Sequence, residues 1–149
     1  MSDSTALIDV RGLRMYFGGG AHPVRAVDDV SFIIREGETL GLVGESGSGK
    51  STIGRMLIRL LQPTAGEIHY AGHDLARISQ REMRPLRSQI QIIFQDPYAS
   101  LNPRMRIRQI LGEALDTHGL ARGKARQPRI MELLDLVGLR AEYADRYPH

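Results

Sequence analysis

A glycine-rich loop between an apolar run and an amphipathic stretch constrains the fold more than any other feature of this sequence. Residues 44–51 read GESGSGKS and fit the pattern G-x-x-x-x-G-K-[ST], which is typical of a phosphate-binding P-loop. The preceding run TLGLV (39–43) is short and apolar, as expected of a strand buried on both faces of a parallel sheet. The residues that follow place one apolar stripe on a helix, formed by Ile53, Met56, Leu57, Leu60 and Leu61. We therefore expect a strand, a phosphate-binding loop and a helix in succession.

The residue types of this loop match the needs of an oxyanion site. Glycine lets the backbone approach a phosphate without an intervening Cβ, and successive N–H groups form a concave anion site. A helix beginning near Lys50 adds the positive end of its dipole. Lys50 is expected to contact the β- and γ-phosphates, and the Ser51 hydroxyl to ligate Mg²⁺. The predicted nucleotide-binding residues of the loop are Gly44, Glu45, Ser46, Gly47, Ser48, Gly49, Lys50, Ser51 and Thr52.

The use of lysine supports this interpretation. The chain has 20 basic residues, and its only lysines are Lys50 and Lys124. Lysine presents a compact ammonium charge, whereas arginine presents a planar fork. Because nearly all other basic residues of the chain are arginines, the choice of lysine at position 50 indicates that this position needs a compact point charge.

The first part of the chain carries strand patterns and the second part helical ones. Alternating or apolar strand segments lie around residues 8–13, 30–34, 66–70 and 89–94. Beyond residue 96 two helical stripes follow, Ile107, Ile110, Leu111, Ala114 and Leu115, then Ile130, Leu133, Leu134 and Val137. We predict two parts, a partial nucleotide-binding core with the P-loop at 1–95 and a partial helical part at 96–149.

Composition narrows the function classes. No apolar run approaches the roughly 18 residues that a membrane span requires, and the first residues do not resemble a secretion signal. The chain has no cysteine, which excludes disulfides and thiolate metal sites and fits a reducing, cytoplasmic setting. The net charge of +3 is spread along the chain without interleaved stacking aromatics, so we predict no nucleic-acid partner.

Other P-loop classes fit less well. A GTPase needs a base-reading Asn-Lys-x-Asp motif, and neither lysine stands in one. Small-molecule kinases carry a similar loop closer to the N-terminus. The 43 residues before Gly44 leave room for two preliminary strands.

Two long strings then resemble one family, the ABC transporter ATP-binding subunits. Residues 26–68, AVDDVSFIIREGETLGLVGESGSGKSTIGRMLIRLLQPTAGEI, are similar to the ABC ATPase opening. Residues 89–111, QIQIIFQDPYASLNPRMRIRQIL, resemble the Q-loop region of oligopeptide and dipeptide importer ATPases, and the ending VGL…DRYPH resembles the segment before their signature motif. The resemblance implies an α/β fold, a P-loop NTPase core of ABC type. Its parts would be an antiparallel β subdomain, a partial parallel sheet and part of the helical subdomain.

The resemblance also implies roles for individual residues. Phe17 matches the aromatic that stacks on adenine, with Tyr16 as its competitor if the strand register slips by one. Gln95 matches the Q-loop glutamine, a catalytic residue that meets Mg²⁺ and the attacking water and faces the membrane subunits. Asp96 and Asp135 are not assigned as the Mg²⁺ aspartate. Gln95 separates Asp96 from the apolar run before it and no Glu follows, and Asp135 stands within a helical stripe that places it on a solvated helix.

By this resemblance the chain is the ATP–Mg²⁺-binding part of a peptide importer ATPase. The implied partners are transmembrane permease subunits, a second ATPase subunit in a homo- or heterodimer and, indirectly, a solute-binding protein. The implied location is peripheral, on the cytoplasmic face of the inner membrane. The residues given contain neither the signature motif nor the Walker B strand, so we expect them alone neither to hydrolyse ATP nor to fold stably. The alternative is a stand-alone nucleotide-binding module that never hydrolyses, and an open reading frame encoding Ser-Gly-Gly-Gln beyond codon 149 would favour the first reading.

Overall fold

The computed structural model describes residues 6–20, 22–96 and 100–149. The chain divides into two compact units, residues 1–92 and residues 93–149. The sequence had placed the corresponding division between residues 95 and 96. Each unit is described by itself below.

The first unit is built on a four-stranded antiparallel sheet in the order β2-β1-β3-β4. The strands are β1 (Ala6–Phe17), β2 (Val24–Arg35), β3 (Ala65–Tyr70) and the short β4 (His73–Asp74). Alternation of apolar and polar residues makes β1 and β2 half-buried, as the sequence predicts. The antiparallel part of the predicted fold is therefore formed.

A glycine bulge keeps the buried face of β1 continuous. Val10 pairs with Phe32 and Leu13 with Val30, so β1 carries one more residue than β2 between these pairs. Gly12 takes a φ of 56°, in the left-handed region that glycine adopts without steric penalty. Both Val10 and Leu13 are thus buried, although their spacing of three would put them on opposite faces of a regular strand.

Two helices cover one side of this unit. Helix α1 spans Lys50–Leu57 and helix α2 spans Gln80–Leu86. Helix α2 begins with a capping box, in which Ser79 and Glu82 bond to each other's backbone N–H groups. The core of the unit joins these helices to the sheet and consists of Val10, Leu13, Met15, Val27, Ile53, Met56, Ile68, Leu75, Met83 and Leu86.

Helix α1 is shorter than its apolar stripe predicts. It ends at Leu57, and Arg59 takes a positive φ of 57°. Ile53 and Met56 are buried and Leu57 packs against the core, but Leu60 lies outside the helix with 46% of its surface exposed. The prediction that Leu60 continues the buried stripe is wrong, because the chain leaves the helical path before that position.

The two predicted buried strands at 39–43 and 89–94 are not formed. Among the described residues, no strand pairs with either segment. Val43 and Ile93 are exposed over 98% and 92% of their surface, whereas Ile90 is half-buried against the core of the first unit. An apolar run becomes a parallel strand only if neighbouring strands take up its N–H and C=O groups, and within the described ranges neither run has such a neighbour.

The second unit is helical, as predicted. Helix α3 spans Ile107–Thr117 and helix α4 spans Arg126–Leu136, with 3₁₀ turns at Gly123–Ala125 and Ala141–Asp145. Its core consists of Leu115, Ala121, Ile130, Leu134 and Ala144, flanked by Ile107, Leu111, Met131 and Leu133. Ala114 and Val137 are exposed, so the prediction that they belong to the buried stripes is wrong.

No helix in the described parts of the chain is long and apolar enough to span a bilayer.

Candidate functional site

The ammonium group of Lys50 lies inside the glycine-rich loop. Its Nζ donates to the carbonyl oxygens of Gly44 at 2.7 Å and Glu45 at 2.5 Å, and to Ser48 Oγ at 3.1 Å. The loop is also closed by a bond from the Ser48 N–H to the Glu45 carbonyl at 3.2 Å. A single positive charge is thus fixed at the centre of the loop by oxygen atoms of the loop itself.

Helix α1 begins where the loop ends and adds to this positive character. Gly49 is its N-cap residue with no side-chain cap, and the first turn contains no acidic residue. The N–H groups of a first turn have no partner within the helix and carry the positive end of the dipole. Ser51 is exposed and Thr52 half-buried in this turn. Both side chains lie on an open cleft of about 140 Å³, whose lining is Ala26, Gly47, Ser48, Gly49, Lys50, Ser51 and Thr52.

The loop rests against strand β2 through Gly49. A Cβ built on Gly49 would lie 2.3 Å from the carbonyl oxygen of Ala26, closer than any real Cβ contact. Gly49 also takes a φ of 91°, which disfavours any other residue. The glycine that precedes Lys50 is therefore required both by the backbone turn and by the approach of the strand.

Ala26 lines the cleft, although no sequence pattern predicts it as a site residue. In the ladder Met15 pairs with Val27 and Tyr16 with Arg25, so Ala26 is an extra residue in β2. This bulge brings the Ala26 backbone to the P-loop and makes Ala26 part of the cleft lining. A small residue within an alternating strand carries no sequence signal of such a role.

Phe17 and Tyr16 are distinguished by their surroundings. Tyr16 donates its hydroxyl to Asp28 Oδ1 at 2.5 Å, and the Arg25 guanidinium lies 5.5 Å from the centre of its ring. This hydrogen bond raises the pKa of Tyr16 and lowers the pKa of Asp28. Phe17 has no polar group and 40% of its surface is exposed. The tyrosine ring is already held by its neighbours, whereas the phenylalanine ring presents an open face.

Strand register places Phe17 close to the bulge that meets the loop. Phe17 pairs with Val24, two residues before Ala26. At about 3.3 Å per residue this separation is roughly 7 Å along the strand. The structure therefore sets the exposed ring and the P-loop at the same end of the β1–β2 pair.

The remaining predicted site residues are not brought together with the P-loop within either unit. Gln95 is exposed and belongs to the second unit, and its relation to the P-loop is not described. Residues 97–99, which directly follow Gln95 and Asp96, lie outside the described residues, as do the first five residues. Among the described residues, no three His, Cys, Asp or Glu side chains are grouped to hold a metal ion. Asp135 is exposed on α4.

Comparison with curated proteins shows close relatives in peptide transport systems. The chain is 52% identical over 145 residues to the putative oligopeptide transport ATP-binding protein YkfD of Bacillus subtilis (strain 168), covering 96% of this chain and 44% of that protein. It is 50% identical over 145 residues to the oligopeptide transport ATP-binding protein OppF of the same organism, covering 96% and 48%. It is 46% identical over 153 residues to the dipeptide transport ATP-binding protein DppF of Lactococcus lactis subsp. cremoris (strain MG1363), covering 100% and 49%. The chain thus spans just under half the length of each of these relatives.

Solved structures and a family model agree with these relatives. The ATP-binding cassette MJ0796, in a dimeric post-hydrolysis state bound to ADP and Pi, matches with a TM-score of 0.77 and 26% identity. That match covers 95% of this chain and 61% of the cassette chain. The predicted α/β fold of ABC type is therefore confirmed. The family model described as ABC transporter matches residues 27–149, which is most of the chain and includes the P-loop, so the protein belongs to the ABC transporter family.

Proposed function

We propose that this chain is the nucleotide-binding part of an ABC importer ATPase and that it takes ATP with Mg²⁺ at residues 44–52. The observation that carries the proposal is the position of Lys50, whose ammonium group is held inside the loop at the start of α1. A cation fixed in a glycine-rich loop at the start of a helix, whose first N–H groups carry the positive end of the dipole, is a site for a phosphate chain.

The cleft dimensions agree with binding of the phosphates by the loop and of the base elsewhere. A volume of about 140 Å³ is below the roughly 300–1,000 Å³ of pockets that enclose a whole small ligand. The adenine would therefore need a surface outside the cleft. The open face of Phe17, at the end of β1, provides an aromatic ring for stacking.

The residues present fit a magnesium ion bound with its nucleotide. Ser51 is exposed on the cleft and offers a hydroxyl oxygen, the ligand type that Mg²⁺ prefers. We propose Ser51 as its protein ligand in the first unit, and the role of Gln95 at the ion and the attacking water stays a prediction from the resemblance. When bound with ATP, the ion neutralises charge on the phosphate oxygens.

The biological role follows from the relatives. Proteins named as oligopeptide and dipeptide transport ATP-binding proteins are 52%, 50% and 46% identical to this chain over aligned stretches of 145, 145 and 153 residues. We propose that the complete subunit couples ATP hydrolysis to uptake of peptides or similar small solutes. It would work at the cytoplasmic face of the membrane with permease subunits and a second ATPase subunit, and the dimeric state of MJ0796 supports the latter.

The two lysines of the chain provide a matched test. Lys50→Ala removes the ammonium group from the loop, whereas Lys124→Ala removes the other lysine, which lies in the second unit. Hydrogen bonds to charged groups are worth roughly 1.5–3 kcal/mol each, so one lost phosphate contact should weaken ATP binding by about 10- to 150-fold. Calorimetric titration with ATP in excess Mg²⁺ should show this loss for Lys50→Ala and none for Lys124→Ala. Equal affinities of the two variants would overturn the site.

A further inference from the structure

A second cleft, of about 310 Å³, lies in the helical unit between α3 and the start of α4. It is a separate feature from the P-loop cleft, and no carboxylate is among the residues that line it. Most of the lining side chains carry N–H donors. The lining consists of Arg108, Gln109, Gly123, Arg126, Gln127 and Ile130.

The Arg126 guanidinium is held in place by a glycine in the opposite helix. A Cβ built on Gly112, in the middle of α3, would lie 2.0 Å from Arg126 Nη2 and 2.3 Å from its Nε. Glycine weakens a helix relative to alanine, and here it provides the space that the guanidinium fills. Within the described residues Arg126 Nε is buried without a hydrogen-bond partner, and Nη1 lies 3.5 Å from Asp116 Oδ2. The group therefore packs against α3, and because its Nε is buried there only the Nη atoms can meet a ligand.

The charge around this cleft is positive. Residues 117–131 contain four basic residues and no Asp or Glu. Arg108 shares one carboxylate oxygen of Asp145, at 2.8 Å, with Arg106 at 3.2 Å, so a single negative charge faces two guanidinium groups. Helix α4 has no acidic residue in its first turn, but its start adds few donors, because the Arg126 N–H donates to the Gly123 carbonyl oxygen and Pro128 has no N–H. The carboxylates of Asp116, Glu132 and Asp145 pair with these cations and offset part of this charge.

We propose that the α3–α4 cleft binds a phosphate group carried on a small organic molecule or on a lipid. Two guanidinium groups match the oxygen geometry of a phosphate, and the amides of Gln109 and Gln127 add neutral donors. The volume exceeds what a bare phosphate fills, and Ile130 gives the cleft one apolar wall for the attached group. The site does not depend on nucleotide binding at the P-loop.

Nuclear magnetic resonance can test the site in the complete subunit carrying Lys50→Ala, in which phosphate binding at the P-loop is weakened. Inorganic phosphate is titrated at constant ionic strength, and the Nε–Hε signals of Arg108 and Arg126 are followed with the amides of Gly123 and Gln127. We expect saturable shifts of these signals that sodium chloride does not reproduce. Shifts of the same size with chloride would overturn the proposal. The backbone amide signals of the P-loop in the same spectra report on binding at the nucleotide site. If that site does not bind phosphate, the signals from the α3–α4 cleft can still be interpreted.

A pair of variants on α4 makes the test specific. Arg126→Gln should weaken phosphate binding at least about tenfold, a difference near 1.4 kcal/mol. Arg129→Gln is the control, because Arg129 pairs with Glu132 at 2.7 Å and does not line the cleft. If Arg126→Gln loses signal dispersion, Arg126→Lys replaces it, since it keeps the charge and lacks the planar fork. Equal affinity in the Arg126 and Arg129 variants would refute the assignment.

Two further ligands distinguish the source of the phosphate. Glycerol 3-phosphate represents a soluble ester, and vesicles of phosphatidylglycerol in phosphatidylcholine represent a lipid headgroup. Co-sedimentation that depends on Arg126 and on phosphatidylglycerol would assign the lipid, and saturable shifts with glycerol 3-phosphate alone would assign the ester. Binding of neither would sink the proposal.

Discussion

The contact between Gly49 and strand β2 yields a quantitative prediction for Gly49→Ala. The new Cβ would lie 2.3 Å from the Ala26 carbonyl oxygen and 3.3 Å from Val27 Cγ2, at a φ of 91°. The left-handed backbone alone costs an alanine about 1–2 kcal/mol. Relieving the overlap with a backbone oxygen adds a term of about 1–3 kcal/mol, as in overpacked cores. Gly49→Ala should therefore raise the free energy of the native loop conformation by about 2–5 kcal/mol.

Gly47→Ala separates these two terms. Gly47 takes a φ of 82°, but a Cβ there would meet no atom within 4 Å. This control therefore carries the backbone term and lacks the contact with β2. The difference between the two variants should be about 1–3 kcal/mol, which is roughly 5- to 150-fold in an equilibrium constant.

Calorimetric titration with ATP and Mg²⁺, together with thermal unfolding of each variant, measures both effects. Gly49→Ala should bind ATP more weakly than Gly47→Ala by this factor, because ATP binding requires the loop conformation that Ala26 restricts. Equal affinities and equal unfolding midpoints would show that the strand does not restrain the loop, and the reasoning from the Ala26 contact would fail.

Three further predictions concern the base, the sheet and catalysis. Phe17→Ala should weaken ATP binding by about 1–3 kcal/mol, as for other base–aromatic stacks, and Tyr16→Phe should leave it unchanged; the reverse order in calorimetry would show that the stacking residue is misassigned. The pKa of Asp28 is lowered in the folded chain, so its stabilising contribution is present above the unfolded-state value near 3.8 and is lost as pH falls below it. Urea unfolding across this window should therefore show a weaker pH dependence in Tyr16→Phe than in the unchanged protein, and identical profiles would exclude the hydrogen bond as the cause. The described lining of the P-loop cleft contains no carboxylate to orient water, so residues 1–149 should release phosphate from ATP no faster than their Lys50→Ala variant; faster release would reveal a hidden catalytic group.

The sequence predicted the elements whose formation depends on local pattern. Alternation gave β1 and β2, and helical spacing gave α3 and α4 with their buried residues Ile130 and Leu134. These elements form because each satisfies its backbone groups within itself or with its neighbour along the chain, and each buries one apolar face. The roles of Phe17 and Gln95 came from resemblance and stay predictions.

The segments at 39–43 and 89–94 show why pattern alone is insufficient. Both are apolar enough for buried strands, yet in the described ranges both lack a paired strand, and Val43 and Ile93 are exposed. A strand depends on partners that are distant in sequence, and such pairing is not encoded in the run itself. Helix α1 illustrates the same limit, since its stripe continues to Leu61 but its backbone leaves the helix after Leu57.

The sequence by itself determined the residue types of the candidate site, because the order of glycines, Lys50 and Ser51 in one short loop is the pattern that predicts an anion site. Only the tertiary structure decided how that loop is supported. The extra residue Ala26 in β2 and the hydrogen bond that occupies Tyr16 depend on cross-strand register, which is set by bulges and turns and not by composition. The packing of Arg126 against Gly112 likewise depends on α3 and α4 meeting at this pair of positions. The two residues are 14 apart in the chain, and their contact leaves no pattern in either helix alone.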